Sequence, residues 1–571
     1  MTLTYAEVAA ELSAPGQEFE IAEQVIHGVP IRVFVNGPQT LRDIFLSTTQ
    51  HGDAPFLAYE HEHLTYAEHA RLVAGLATYL QSTYGLKKGD RVVIAMRNYP
   101  EWVPIFFALQ VLGVVVVPLN AWWTASELEY GLTDSAPVLV FADAERTALM
   151  MPTLANLGGV PVIEVRGDDN HTKVGHVEGA VRWSDVLAAL DPDATLPDVE
   201  IDADDDATIM YTSGTTGKPK GAIGTHRNYV TNIRNGQFRL SVGAIRLGIG
   251  LELLALAPKG GSLIVFPFFH IAGLGGLTSV TANGGKLAML YKWDPQEAME
   301  LIEREALTGV AGVPTVVREL LTHAADRPEA LATVTGFAAG GAAVPADLVH
   351  RVDTVFKHQA IPTNGYGLTE TTSAVVGNSG EDYFAHPDSV GIVMPGSDLR
   401  VVGADGNDVP EGEIGELWFR GPQIVRGYWN KPEATAEAFT DGWFHTGDLG
   451  KIEDGFVYVL DRIKDVIIRG GENIYCAEVE GVLYDHPSVG EVALIGIPDD
   501  KLGEIAIAVV VPQPGVTTNE TELKEFVAQH LAGFKVPARI LVQDEALPRT
   551  STGKVLKRDM KAALVAEAVT A

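Results

Sequence analysis

The sequence predicts an α/β protein: a large N-terminal domain of two α/β lobes plus a β-rich subdomain, then a small α+β C-terminal domain. Three observations predict it. Helical patterns alternate with short β-branched runs over residues 65–200, the same rhythm returns after residue 260, and from about residue 397 short strands are separated by Gly, Pro and Asp turns. In the first lobe Thr65–Tyr84 reads as an amphipathic helix, Arg91–Met96 as a strand and Glu101–Leu112 as a helix. Val114–Pro118 then reads as a strand, Ala125–Thr133 as a helix and Val138–Phe141 as a strand. Such recurrence implies parallel sheets covered by helices on both faces. The second lobe takes strands at Gly261–Phe266, Lys286–Leu290 and Gly309–Val313 around a helix at Asp294–Glu305. The β-rich part takes Leu399–Val402, Glu416–Arg420, Phe456–Leu460 and Asp465–Ile468. The last unit takes helices Ala477–Asp485 and Glu520–Leu531 with strands Val489–Ile497 and Ile505–Pro512.

Size and composition agree with several cores in an ordinary globular chain. The protein has 571 residues, 46% hydrophobic and 20% charged, and domains usually hold roughly 100–200 residues each. Its 42 Lys and Arg face 74 Asp and Glu, a net charge of −32, which repels nucleic acid and anionic membrane surfaces. The single cysteine, Cys476, cannot form an internal disulfide and fits a reducing compartment. The N-terminus lacks a basic segment followed by an apolar core, and the most apolar run, Phe106–Leu119, is too short to span a bilayer and holds Gln110 and Gly113. A cytoplasmic protein without a transmembrane segment is expected. A homodimer stays open. Positive charge collects in Lys535–Lys561, where seven cations face three carboxylates; on its own this stretch reads equally well as a solvated helical face.

The most unusual local sequence is YTSGTTGKPKG at residues 211–221. Its glycines permit close approach, successive N–H groups can cup a phosphate, the hydroxyls add donors, and Lys218 and Lys220 add charge. Polyphosphate binding is the chemistry this suggests, with a flexible surface loop as the bland alternative. The common P-loop is excluded, because two residues rather than four separate Gly214 from Gly217 and Pro219 follows Lys218.

Residues 212–221 resemble the signature loop of the adenylate-forming (AMP-binding) superfamily, and further motifs follow in the superfamily's order. These are NGYGLTE at 364–370, TGD at 446–448, DRIKD at 461–465 and PRTSTGK at 548–554, with GELWFRGPQIVRG at 415–427 as a weaker sixth. The resemblance is to acyl-CoA synthetases, of the fatty-acid–CoA ligase kind, and implies ATP, Mg²⁺ and coenzyme A as cofactor and co-substrates. It implies an N-terminal adenylation domain over 1–463 and a mobile C-terminal domain over 464–571, pivoting at Lys464. It also implies ATP or AMP contacts from Thr212, Ser213, Gly214, Thr215, Thr216, Gly217, Lys220, Gly340, Gly341, Gly365, Tyr366, Gly367, Asp448 and Arg462.

Each matched type suits its implied task. The Tyr366 ring can lie against adenine, Thr369 can place a hydroxyl near the α-phosphate, and Glu370 is a hard oxygen ligand for Mg²⁺. On the residues alone, Thr369 and Glu370 equally well cap a helix beginning near Ser373. Asp448 can accept from both ribose hydroxyls and Arg462 can donate to the same sugar. Attack of a carboxylate on the α-phosphate brings anions together, so Lys554 is the expected catalytic cation, beside Glu370 and Thr369. After rotation of the C-terminal domain, Gly470, Gly471 and Glu472 are implied to line the tunnel for the CoA thiol; without the family, Gly470 and Gly471 read as a plain turn. Lys557, Arg558 and Lys561 are unassigned candidates for CoA phosphates.

The segment FPFFHIAG at 266–273 corresponds to the one lying beside the acyl group and lacks the Asp with which amino-acid-activating relatives hold an ammonium. His270, Ile271, Val313 and Ala339 are the expected acyl-pocket residues, and small apolar neighbours leave room for a medium- or long-chain fatty acid or an aryl-alkanoic acid. Only ten residues follow Lys561, so no fused carrier domain is expected, and no GxSxG, GxGxxG or HExxH occurs. The expected activity is an ATP-dependent acid–CoA ligase; the alternatives are an acyl-AMP ligase loading a separate carrier protein and a non-catalytic nucleotide-binding relative. Two departures stand out: Asn120, Ala121, Trp122 and Trp123 where many relatives have Asn-Pro, and Cys476 where Pro is usual.

Overall fold

The computed structural model describes residues 3–168, 171–212, 218–325, 327–342, 344, 346–356, 359–550 and 554–570. Four large sheets and a short N-terminal hairpin organise it. A seven-stranded sheet carries, in spatial order, Lys220–Thr225, Asp206–Thr212, Val115–Pro118, Arg91–Ala95, Leu139–Asp143, Val162–Val165 and Val181–Arg182. It is parallel except for the edge strand Lys220–Thr225, which turns back on Asp206–Thr212. A nine-stranded sheet runs through Ile392–Val393, Ser373–Ser379, Ile361–Leu368, Gly336–Gly340, Gly309–Gly312, Gly261–Ile264, Lys286–Met289, Pro55–Tyr59 and Glu62–Thr65. The last two strands precede the first lobe in sequence but complete the second.

One helix locks the lobes together. All ten residues of Trp102–Val111 are buried, an all-round apolar helix of the kind found only deep inside a protein. Its side chains share one core with Val92, Ile94 and Phe141 of the first sheet and Phe56, Leu57 and Met289 of the second. The neighbouring helix Tyr66–Tyr84 starts at Thr65, whose hydroxyl and Glu68 form a reciprocal cap, and ends at Gly85 with φ of 66°.

A five-stranded sheet, built on Asp398–Val402, Gly415–Arg420 and Trp443–Glu453, packs through Val401, Leu417 and Phe419 on Val375 and Val376 of the nine-stranded sheet. Its strand Phe456–Arg462 is the last before the chain passes, at residues 463–466, into the final sheet. That sheet carries Ile467–Arg469, Glu472–Ile474, Val489–Asp499, Gly503–Pro512 and Arg539–Val542, covered by helices Cys476–Tyr484, Glu520–His530 and Lys557–Thr570. No helix among the described residues is long and apolar enough to cross a membrane.

Two expectations are corrected. Ser373 opens a strand, Ser373–Ser379, instead of a helix, because it pairs antiparallel with Ile361–Leu368. The basic island is largely neutralised: Lys535 pairs with Glu478, Arg539 with Glu520, Arg549 with Glu491, Lys557 with Glu480 and Lys561 with Glu504. Lys557 and Lys561 are thereby engaged rather than displayed for phosphates. Cys476 is buried, its thiol donating to the Asp465 carbonyl at 3.2 Å, and burial pushes its pKa up, so it is not poised for oxidation.

Buried histidines set an acid limit. His69 packs among Phe45, Phe56 and Phe107, neither ring nitrogen has a partner among the described residues, and burial lowers its pKa to about 3. His226, also buried, falls to about 4. The unfolded chain takes up these protons near pH 6.5 while the folded chain refuses them, so stability is full above pH 6.5 and is lost as pH falls toward 4. Thermal melts from pH 7 to 4 should show that decline, and His69→Leu should make it shallower; an identical slope would remove His69 from the account.

Candidate active site

Strand Ile361–Leu368 presents Gly365, Tyr366 and Gly367, and a single 3₁₀ turn, Thr369–Thr371, carries the chain into Ser373–Ser379. The turn closes through two non-glycine residues in the left-handed region, Thr372 at φ 46° and Ser373 at φ 75°. Such conformations cost on the order of 1–3 kcal/mol each and persist where the surroundings hold them. Here Thr371 Oγ1 donates to the Ser373 carbonyl at 2.7 Å and accepts from the Leu368 N–H at 2.8 Å. Gly367 is required by closeness: a Cβ there would lie 1.9 Å from the Ser373 oxygen.

The turn aims Glu370 inward. It is 8% exposed, Oε1 accepts from the Tyr428 hydroxyl at 2.7 Å, and Oε2 has no hydrogen bond among the described residues. The Lys220 ammonium lies 5.0 Å from the centre of the Tyr428 ring. Lys220 in turn pairs across the hairpin with Thr212, so the two ends of the glycine-rich segment stand together beside Glu370. The expected contacts Ser213, Gly214, Thr215, Thr216 and Gly217 lie outside the described residues. Thr369 is half-buried at the start of the turn.

Asp448 is the second buried carboxylate. It lies on strand Trp443–Glu453 opposite Arg462, accepts from the Tyr366 hydroxyl at 2.6 Å, and pairs with Arg462 Nε at 3.3 Å. The turn before it is shaped by Thr446 Oγ1, which accepts the Asp448 N–H at 3.0 Å, and by Glu416, which accepts the Gly447 N–H at 2.9 Å. Burial raises the Asp448 pKa, against the pull of Arg462, the Tyr366 hydrogen bond, Lys554 and Lys464.

Lys554 reaches this site from the other end of the chain. Burial and the Arg462 charge lower its pKa, while Asp448 and Glu370 oppose the fall. Lys464, in the turn at 463–465, is lowered by its own burial and by Arg462. Among the described residues Asp448 and Glu370 oppose Lys554, Arg462 and Lys464, with Asp465 acting on Lys464 as well, and an incoming anion would relieve the repulsion among the three cations.

The apolar side of the site is equally compact. His270 caps helix Ile271–Ala282, its Nδ1 accepting from the Ala272 N–H at 3.2 Å, which leaves the proton on Nε2. Burial, then the nearby Lys554, lowers its pKa to about 4, so the imidazole is neutral at pH 7. Ile271 is buried beside it. Gly341, at φ 74°, faces Phe266 and Val313, where a Cβ would meet ring and methyl carbons at 3.4 and 3.8 Å. Ala339 and Gly340 are register partners of Asn364 and Gly365.

Of the residues expected to bind nucleotide and acyl group, Glu370, Asp448, Arg462 and His270 lie within the electrostatic reach of Lys554, and Tyr366 joins them through Asp448. Gly470, Gly471 and Glu472 do not. They form a tight hairpin, φ 62° and 91° at the glycines, with the Gly470 N–H on the Leu502 carbonyl, and no described contact joins them to the Lys554 cluster. Tyr428 and Glu416 were not expected at all. Both flank or lie in the GELWFRGPQIVRG stretch, whose pattern offered the one available signal.

The family model described as AMP-binding enzyme matches residues 45–429, and that for the AMP-binding enzyme C-terminal domain matches 478–554. The chain belongs to the AMP-binding enzyme family. Among curated relatives of this AMP-binding enzyme, a feruloyl-CoA synthase of Amycolatopsis sp is 36% identical over 501 residues, 87% of this chain and 93% of that protein. A long-chain-fatty-acid–CoA ligase of Bacillus subtilis (strain 168) is 31% identical, covering 91% and 94%. Among solved structures, ATP-bound MatB from Rhodopseudomonas palustris superposes with a TM-score of 0.78 at 30% identity, covering 92% and 99%.

The strained turn yields a test. Gly367→Ala should cost about 2 kcal/mol or more, because its Cβ meets backbone that cannot step aside. Chemical denaturation reads the loss; a midpoint unchanged from that of the parent would contradict the close approach.

Proposed function

We propose that this AMP-binding enzyme is an ATP-dependent acid–CoA ligase acting on a hydrophobic carboxylic acid, either aryl-alkanoic or a medium- or long-chain fatty acid. The observation that carries the reading is the meeting of Lys554 with Asp448 and Glu370 beside the apolar His270 segment. The relatives' activities support the class, and the absence of a carboxylate from Phe266–Gly273 speaks against an amino acid.

In the first half-reaction the acid carboxylate attacks the α-phosphorus of ATP and pyrophosphate leaves. Asp448 and Arg462 hold the ribose, Tyr366 lies along the base, and Lys220 with the 212–217 loop and Thr369 holds the phosphates. Lys554 offsets the charge that gathers as two anions meet, and those anions favour its charged form against the burial that lowers its pKa. Magnesium fits at Glu370, whose Oε2 is unoccupied by any described hydrogen bond. When bound there it supplies charge neutralisation on the phosphate oxygens. His270, neutral, bounds the acyl pocket with Ile271, Val313 and Ala339, with Gly340 and Gly341 leaving room at its floor.

For the second half-reaction the chain divides at 463/464 into an adenylation domain and a C-terminal domain that turns about Lys464. The turn sits where the chain leaves one sheet for the next, so few backbone angles need change. Rotation withdraws Lys554 and brings Gly470, Gly471 and Glu472 to the adenylate, and the thiolate of CoA displaces AMP.

Lys554→Ala should lower acid-dependent ATP–pyrophosphate exchange by about 10²–10³-fold, the size of losing one preorganised charge in a dry site; undiminished exchange would overturn the role. A panel of fatty acids of graded length and aryl-alkanoic acids with CoA should give thioesters without any carrier protein. A ranking led by acetate or amino acids, or adenylate that CoA does not discharge, would overturn the substrate or acceptor reading.

A further inference from the structure

A second polar feature lies along helix His226–Arg246 and takes no part in the chemistry above. That helix packs on strand Ser373–Ser379, which leaves the catalytic turn, and on helix Ile271–Ala282, which His270 caps. Asn232, Gly236 and Arg239 stand at i, i+4 and i+7 and so share one face of it. At the near end of this face Asn232 Nδ2 donates to the Ala374 carbonyl at 3.4 Å. A Cβ added at Gly275, one turn past Ile271, would lie 3.2 Å from Ser373 Oγ and 3.6 Å from Asn232 Oδ1. At the far end the Arg239 guanidinium reaches Gly377 of the strand, where a Cβ would overlap Nη1 and lie 2.8 Å from Cζ. Between the two ends Gly236 is exposed, and a Cβ there would meet nothing within 4 Å. Seven helical residues at about 1.5 Å each and three strand residues, Ala374 to Gly377, at about 3.3 Å each give the same span of about 10 Å. The face therefore continues the acyl pocket from His270 and Ile271 past Gly275 and Gly236 to Arg239.

Arg239 has no partner of its own there. It is half-buried, and among the described residues its guanidinium makes no hydrogen bond and no ion pair. Two groups act on its charge, Tyr5 and Asp382. Asp382 is already taken, its two oxygens accepting from Arg246 Nη1 at 2.6 Å and Nη2 at 3.1 Å. The Tyr5 hydroxyl also lacks a hydrogen bond among the described residues. Burial lowers the Arg239 pKa against the pull of both. A guanidinium withdrawn from water without a partner is costly, and its planar fork of N–H donors matches the two oxygens of a carboxylate. Because this face continues the acyl pocket, the group that meets Arg239 is the far end of the acid.

We infer that the acid carries a second carboxylate and that Arg239 binds it at the far end of the acyl pocket, about 10 Å beyond the catalytic turn. The inference rests on the acid–CoA ligase reading and sharpens its substrate to a dicarboxylic acid, the two acid groups held apart by an apolar chain or ring. It accounts for two glycines in regular elements: Gly377, where a side chain would displace the guanidinium, and Gly236, which leaves room along the face at the expense of helix propensity.

The test pairs acids of equal length with and without a terminal carboxylate, alkyl and aryl-alkanoic, and reads ATP–pyrophosphate exchange without thiol. The parent protein should take the dicarboxylic acid with a kcat/KM roughly tenfold above that of its monocarboxylic twin, the effect of one bidentate charge pair, over a narrow range of lengths. Arg239→Leu should bring that ratio down to one or below, and Arg239→Lys, which keeps the charge but not the fork, should retain part of it. A variant in which both acids fall equally and the ratio stays put would overturn the inference, since that is the mark of a merely structural arginine. So would a parent protein that prefers the monocarboxylic acid at every length, a result that decides the matter even if Arg239→Leu does not fold. If neither kind of acid supports exchange or yields thioester with CoA, it is the ligase reading that fails, and the inference with it.

Discussion

The contact on which the site depends is the carboxylate of Asp448. It stands on the five-stranded sheet, takes the hydroxyl of Tyr366 from the nine-stranded sheet, and pairs with Arg462, the last residue of strand Phe456–Arg462. Its charge is also felt by Lys554 from the far end of the sequence. Burial would neutralise such a carboxylate, and the hydrogen bond and cations around it resist that. Four parts of the chain are thus tied by one group.

That arrangement reconciles the acidic chain with anionic ligands. A net charge of −32 is a property of the surface, whereas the site gathers Lys554, Arg462, Lys464 and Lys220 around two carboxylates. The local balance is reversed where it matters, over distances at which a buried charge is little screened. The cations that looked most available, at Lys557 and Lys561, are paired with Glu480 and Glu504 and serve the packing of the final helix instead.

The lobes were legible from hydrophobic rhythm because parallel strands buried on both faces read as continuous apolar runs, and Arg91–Ala95 and Val115–Pro118 fall within a residue of their expected bounds. The long strand Trp443–Glu453 was not recognised, since a polar turn and Asp448 interrupt any alternation. Nor could the sequence show that Pro55–Tyr59 completes the second sheet, a pairing across more than two hundred residues. At the candidate site, ordered motifs singled out Tyr366, Asp448 and Lys554, which the fold brings together, whereas Tyr428 was passed over, because one tyrosine after a glycine has no pattern of its own. The strain at Thr372 and Ser373 is likewise invisible in residue type: neither is a residue that favours the left-handed region.

The central claim is that Asp448 and Lys554 share one buried electrostatic site. Competitive acylation of Lys554 across pH 7 to 11, in the parent protein and in Asp448→Asn, measures it directly. Lys554 should titrate below the ordinary lysine value near 10.5 in the parent and lower still once the opposing carboxylate is gone. An ordinary value in both proteins, or one that Asp448→Asn leaves unmoved, would contradict the account.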